Sequence, residues 1–119
     1  MNIIFHERNG FSIAEINADG ILIDNVDEAL QLFMDLSYQG TDRLVIYERN
    51  ITPAFFELRS GFAGALLQKC VNYKIRLAIV GDFDHYPGQS LRDFIFESNQ
   101  GNQAGFLPTV AVAIEKLSR

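Results

Sequence analysis

The chain opens with two short apolar runs and a turn signal between them. Asn2–His6 and Phe11–Ile16 are separated by a polar stretch that ends in Asn9 and Gly10. Both of these turn residues tolerate a positive φ, which the tight turn of a two-residue hairpin requires. The pattern therefore predicts a β-hairpin at the start of the fold.

Helical and strand-like patterns alternate after the hairpin. A helix is predicted to begin at Asp24 or Asn25, either of which can cap it, and apolar residues follow at helical spacing. Two later runs are apolar at their centres, as expected for strands covered on both faces. The remaining elements are strands at Arg43–Glu48, Arg76–Val80 and Ala104–Leu107, a helix from about Ser90 and a last helix after Pro108.

One more helix is predicted between the third and fourth strands. Thr52 and Pro53 have the pattern of an N-cap followed by proline at the first helical position. Apolar spacing then continues to about Asn72, so Ser60 would lie two turns inside this helix. The order β-β-α-β-α-β-α-β-α indicates one α/β domain over residues 1–119, with a mixed sheet of about five strands and four helices.

Charge and cysteine content narrow the function classes. The net charge is −5, and residues 1–48 hold nine acidic and two basic side chains, so the acidic half could meet a basic partner. No basic cluster is present, which argues against nucleic acid as a partner. Cys70 is the only cysteine, so neither an intrachain disulfide nor a Cys-based zinc site is expected. The sequence shows no signal peptide and no membrane span, so we expect a cytoplasmic protein that binds no membrane.

Charged side chains follow the ends of two predicted neighbouring strands. Ligands of α/β proteins tend to bind beyond the carboxyl ends of strands, so we expect a binding site here. Two carboxylates with Glu48 could hold a divalent cation, a His beside an acid could be a general base, or the stretch could be an exposed loop. No metal and no cofactor are assigned. The candidate binding residues are Glu48, Arg49, Asp82, Asp84, His85 and Arg92.

Aromatic residues offer a second kind of site. Phe55, Phe56, Phe62 and Phe83 fit a packed core, and they could equally line an apolar pocket. Such a pocket beside the acidic strand ends would suit a small molecule or a lipid.

The chain resembles a family of small bacterial proteins known as domain of unknown function 4180. The resemblance rests on LAIVGDF (Leu77–Phe83), on SLRDFIFESNQG (Ser90–Gly101) and on SGFAGALLQKC (Ser60–Cys70). It covers nearly the whole chain. The family label implies no activity, and it supports the expected fold and a cytoplasmic location.

The order of elements is also similar to that of STAS domains, the fold of anti-anti-sigma factors. In those regulators, a strand ends in Asp-Ser-Ser-Gly-Leu-Gly before a helix, and phosphorylation of the serine breaks a contact between partners. Ser60–Leu67 resembles the helical half of that motif, but Ser60 would lie two turns inside the predicted helix, where it is poorly placed for a kinase. Thr52 is then the nearest phosphorylation candidate at the strand end, with N-capping as the simpler role.

Three functions remain open from the sequence. The first is a non-catalytic cytoplasmic regulatory or protein-interaction module with an unidentified protein partner, which could also be a homo-oligomer. The second is a small-molecule or lipid binder. The third is a metal-assisted or acid/base enzyme that uses Glu48, Asp82, Asp84 and His85.

Overall fold

A computed structural model describes residues 1–119 as one mixed sheet with helices on both faces. The sheet has five strands in the order β1-β2-β3-β4-β5, with β1 antiparallel to β2 and the other neighbours parallel. The predicted fold class and element order are confirmed. The strands are β1 (Asn2–Arg8), β2 (Phe11–Asn17), β3 (Arg43–Tyr47), β4 (Arg76–Val80) and β5 (Ala104–Leu107), and the helices are α1 (Val26–Tyr38), α2 (Phe62–Asn72), α3 (Gln89–Gln100) and α4 (Val110–Leu117).

The local signals explain where these elements start and turn. Asn9 and Gly10 both have a positive φ, as the two-residue turn between β1 and β2 requires. Asn25 caps α1, because its side chain accepts hydrogen bonds from the backbone N–H groups of Asp27 and Glu28.

The two faces of the sheet are covered unequally. A large core of 19 buried residues lies on the face that carries α1, α2 and α3. On the other face, α4 alone packs over the central strands and forms a core of seven buried residues, which includes Ile13, Val45 and Ile114. Helix α4 contacts β3, β4 and β5, so the β1 half of that face has no helix above it.

The segment from Thr52 to Ser60 is not helical in the way that the sequence indicated. Two 3₁₀ turns, Pro53–Phe56 and Leu58–Ser60, replace the first two turns of the predicted helix. Gly61 then takes φ +78°, and α2 begins only at Phe62. The prediction failed because apolar residues continue at helical spacing through the 3₁₀ turns. The interruption comes from the left-handed conformation of Gly61, which the hydrophobic pattern does not reveal.

Candidate functional site

The carboxyl ends of β3 and β4 lie side by side at the predicted edge. Tyr47 and Val80 are paired in register, so the residues that follow them, Glu48 and Gly81, are neighbours. The approach is very close: a Cβ added to Gly81 would lie 2.5 Å from Oε1 and 2.6 Å from Cβ of Glu48. Glycine at position 81 therefore leaves the space that the Glu48 side chain occupies.

The Glu48 carboxylate organises the loop between β4 and α3. Its Oε1 accepts a hydrogen bond of 3.2 Å from the backbone N–H of Asp82, and its Oε2 lies 3.1 Å from Nε2 of His85. The Tyr86 hydroxyl donates a hydrogen bond to the same Oε2. Both carboxylate oxygens are therefore engaged, and the Glu48 side chain is only 18% exposed. We call these three side chains, Glu48, His85 and Tyr86, the edge triad.

Aromatic contacts hold the Tyr86 side chain of the edge triad in place. Its ring stacks on Phe56 with centroids 4.8 Å apart and an interplanar angle of 17°, and it lies 4.2 Å from the ring of His85. Burial raises the pKa of the Tyr86 hydroxyl, and the hydrogen bond to the negative charge of Glu48 raises that pKa further. Tyr86 is thus a neutral donor; the sequence placed it close to the site but did not indicate its hydrogen bond to Glu48.

The other predicted site residues take different positions. Asp82 uses Oδ1 to accept a hydrogen bond from the backbone N–H of Asp84, which closes the turn, and both residues are exposed. Arg49 lies over the ring of Tyr47 at 4.2 Å, a cation–π contact. Arg92 is exposed on α3 and takes part in no hydrogen bond or ion pair within the chain.

These positions change the chemistry that was expected. The acid that orients His85 is Glu48, whereas the sequence indicated Asp84. No group of three or more His, Cys, Asp or Glu side chains is arranged to hold a metal ion, and Glu48 is engaged by its own chain. The contacts of Glu48 connect the end of β3 to the β4–α3 loop.

The chain carries a second triad of the same composition that sequence reasoning did not find. Glu15 is nearly buried on β2, where its Oε1 lies 2.9 Å from Nε2 of His6 and its Oε2 accepts from the Tyr47 hydroxyl. Burial, followed by the hydrogen bond to Glu15, raises the pKa of Tyr47 to about 12. His6 and Glu15 lie in the predicted hairpin, and the register set by its two-residue turn was the only signal available for placing them on one face.

Ser60 is exposed at the end of the second 3₁₀ turn, two residues before α2 begins. Its hydroxyl donates to the carbonyl of Ala54 at 2.6 Å and accepts from the N–H of Phe62 at 3.2 Å. The premise that Ser60 lies inside a helix is therefore wrong. Thr52 takes the predicted N-cap position with Pro53 next to it, but the turn that follows is 3₁₀ and the Thr52 side chain makes no capping hydrogen bond.

A groove runs beside these residues. It has a volume of about 880 Å³ between the 3₁₀ segment and the start of α3. We call it the edge groove. It is lined by Pro53, Phe56, Glu57, Leu58, Arg59, Tyr86, Pro87, Gly88, Gln89, Ser90 and Leu91.

The phenylalanines that could have lined an apolar pocket pack mainly on each other. Phe55 is buried in the large core with edge-on contacts to Phe56 and Phe62, at centroid distances of 4.9 and 6.1 Å. Phe83 packs edge-on against Phe106 at 5.3 Å. Of the four, only Phe56 lines the edge groove.

No helix of the structure is long and apolar enough to cross a membrane. Among curated proteins, none matches the sequence. Among solved structures, the fold is similar to the crystal structure of a candidate anti-sigma factor antagonist from Thermotoga maritima. The two chains superpose with a TM-score of 0.53 at 12% identity, over 98% of this chain and 95% of the other. This likeness confirms the expected STAS-like architecture.

The family comparison covers most of the sequence. Residues 8–117 match the family described as domain of unknown function (DUF4180), a range that includes everything from the end of β1 to the end of α4. The chain belongs to this family, and its own fold is a STAS-like arrangement of one mixed sheet and four helices.

Proposed function

We propose that the protein is a non-catalytic cytoplasmic regulatory module that binds another protein through the edge groove. The observation that carries the proposal is the position of Ser60, exposed two residues before α2 and next to groove residue Arg59. The resemblance to anti-anti-sigma factors supports the same reading, because their regulatory serine also precedes a helix.

The start of α2 favours a negative charge on Ser60. The N–H groups of Ala63 and Gly64 fall in the first turn, where a helix offers no internal acceptor, and Gly61 supplies no side-chain cap. A phosphate on Ser60 would meet these donors and the positive end of the helix dipole. Thr52 lacks a helix of this length behind it, so we place the modification on Ser60 and keep Thr52 as the alternative acceptor.

The contacts of the edge triad support a non-catalytic role. A histidine oriented by a carboxylate can activate a nucleophilic side chain. His85, however, makes no hydrogen bond to a serine, threonine or cysteine side chain. The second hydrogen bond at Glu48 Oε2 comes from Tyr86, a hydroxyl whose pKa is raised. We therefore assign the edge triad the role of positioning the loop between β4 and α3. That loop, through Tyr86, forms part of one wall of the edge groove.

The groove size supports one other candidate function. A volume of about 880 Å³ lies within the roughly 300–1,000 Å³ of small-molecule pockets, so a small ligand could bind where we place the protein partner. Native mass spectrometry of the purified protein separates the two. A co-purifying small molecule of constant mass would favour the ligand, and a stoichiometric protein would favour the module.

The test is affinity purification from the native organism, with Arg59→Glu and Lys74→Glu as a matched pair. Both substitutions reverse one exposed positive charge, but Arg59 lines the groove and Lys74 lies beyond the far end of α2. We expect one stoichiometric partner that Lys74→Glu retains and Arg59→Glu loses at least tenfold. Equal retention by both variants would contradict the assignment of the groove.

The switch is tested on the same partner once it is isolated. Ser60→Glu places a negative charge at the helix start, and we expect at least tenfold weaker or stronger binding than that of Ser60→Ala. Thr52→Glu is the control and should bind like the unmodified protein. Mapping of a phosphate to Thr52, with Ser60 unmodified in every preparation, would overturn the choice of Ser60.

A further inference from the structure

The outer edge of β1 is unpaired and is poorly protected against another strand. β1 is the last strand of the sheet, and its registered partner over all seven residues is β2. Its apolar side chains are exposed on both faces, with Phe5 52% and Ile4 43% exposed. The strand contains no proline or lysine, the residues that commonly block such edges.

The turn after β1 determines which backbone groups face outward. In a two-residue hairpin, the residues that flank the turn, Arg8 and Phe11, form a hydrogen-bonded pair. Hydrogen-bonded and non-hydrogen-bonded pairs then alternate along the ladder. The N–H and C=O groups of Ile3, Phe5 and Glu7 therefore point away from β2, towards the open edge.

We propose that two copies of this chain pair through their β1 edges, antiparallel, about a two-fold axis at Phe5. In this register Phe5 of one copy faces Phe5 of the other, and Ile3 faces Glu7. All outward backbone groups of both strands then find partners, and one continuous sheet crosses the dimer. This is the only register centred on a β1 residue that uses all three outward residues of each copy.

The side chains support a second copy as the occupant. In this register Glu7 faces Ile3 and Arg8 faces Asn2, so no like charges oppose each other. The exposed Phe5 rings meet on the face that carries α1, α2 and α3, because Phe5 pairs with Ala14 of that core. Ile4 and His6 face each other on the opposite side of the sheet.

The size of the contact sets the expected affinity. We expect the contact of two seven-residue strand edges to bury less than the roughly 1,200 Å² that stable complexes commonly bury, and therefore a dissociation constant on the order of micromolar. Dimerisation should then depend on protein concentration. It involves the opposite end of the sheet from β5 and does not use the edge groove, so its test is independent of the proposed function.

Cysteine scanning tests the register directly. Directly opposed residues in an antiparallel pair have Cα atoms about 4.5–5.5 Å apart, a distance that a disulfide can span. Phe5→Cys should therefore form a disulfide-linked dimer under mild oxidation. Ile4→Cys and His6→Cys should each stay largely monomeric alone and cross-link when the two proteins are mixed.

The native Cys70 does not confuse this experiment. It is buried, and burial raises the pKa of its thiol to about 12. A strong cross-link of Ile4→Cys with itself, or no cross-link by Phe5→Cys, would overturn the proposed register.

Analytical ultracentrifugation over a concentration series tests the dimer without cross-linking. Phe5→Lys should weaken self-association at least tenfold, because it sets two positive charges face to face at the axis. Phe96→Lys, which replaces a 66% exposed aromatic residue on α3, is the matched control and should dimerise like the unmodified protein. Unmodified protein that stays monomeric at the highest soluble concentration would overturn the proposal, as would equal effects of the two variants.

Discussion

At the scale of single residues, the contact between Gly81 and Glu48 shows how a missing side chain can shape a site. The Glu48 side chain reaches the β4–α3 loop through space that any Cβ at position 81 would fill, at 2.5–2.6 Å. Contacts this short force a neighbour to move. The neighbour here holds Asp82, His85 and Tyr86, so its displacement would release the loop.

Gly81→Ala should therefore lower the free energy of unfolding by about 1–3 kcal/mol. Gly64→Ala is the matched control, because a Cβ there meets no atom within 4 Å and alanine is the better helix former. We expect that control to raise the free energy of unfolding by about 0.5–1 kcal/mol. Chemical denaturation measures both, and a neutral Gly81→Ala would contradict the proposed positioning role of Glu48.

At the scale of elements, Asn50 ties the segment between β2 and α1 to the end of β3. Its side chain is buried, donates to the carbonyls of Ala18 and Gly20 at 2.6 and 2.8 Å, and accepts from the N–H of Ala18 at 3.3 Å. The backbone adds further bonds, since the carbonyl of Asn50 accepts from Leu22 and Ile23. Asn50 therefore supplies hydrogen-bond partners for several backbone groups of a loop that has no regular secondary structure.

We expect Asn50→Ala to lower the free energy of unfolding by about 1–3 kcal/mol, because it removes three hydrogen bonds that the buried Asn50 side chain makes to the backbone of that loop. Asn102→Ala is the control at an exposed position whose side chain makes no hydrogen bond within the chain, and it should stay within about 0.5 kcal/mol. Thermal or denaturant unfolding compares the pair. If Asn50→Ala unfolds like the unmodified protein, the loop is held by other contacts.

The elements also show how far sequence reasoning reaches. The order of strands and helices could be predicted because each buried strand and amphipathic helix carries its own periodicity, and Asn9, Gly10 and Asn25 add specific turn and cap signals. The 3₁₀ turns before α2 could not, because they bury the consecutive residues Phe55 and Phe56 in a pattern that also suits a helix.

The sequence predicted which residues of the candidate site lie close together, but not which of them are in contact. Parallel strands bring their carboxyl ends to one edge, so the proximity of Glu48 to Asp82 and His85 follows from the element order. Which groups touch depends on the loop conformation. The choice of Glu48 over Asp84 as the partner of His85, and the part played by Tyr86, follow from that conformation and from the missing side chain at Gly81.

At the scale of the whole molecule, both triads should make the folded state less stable at alkaline pH. Tyr47 and Tyr86 lie in different triads, and each donates to a glutamate, so the folded state favours the neutral hydroxyl in both. A raised folded-state pKa contributes stability that is complete below the unfolded-state pKa of about 10 and is lost as the pH rises through the folded-state pKa.

The free energy of unfolding should therefore fall above about pH 10, through the pKa of about 12 for Tyr47. A double variant, Tyr47→Phe with Tyr86→Phe, should show a smaller fall over the same range. The control replaces the two exposed tyrosines, Tyr38 and Tyr73, by phenylalanine and should keep the fall. Denaturant titrations at a series of pH values decide the matter, and identical profiles for the two double variants would contradict the prediction.

Because Cys70 is buried, the reactivity of its thiol can report how often the fold opens around it. The thiol lies on α2, packed within the large core, and it is the only one in the chain. Cys70 is 1% exposed at the base of a surface cavity, so labelling by a thiol reagent requires α2 to move away from that cavity or the fold to open as a whole. The rate of labelling at Cys70 therefore measures the frequency of that opening in the unmodified protein, and a bound partner or a second copy that steadies α2 would register as slower labelling.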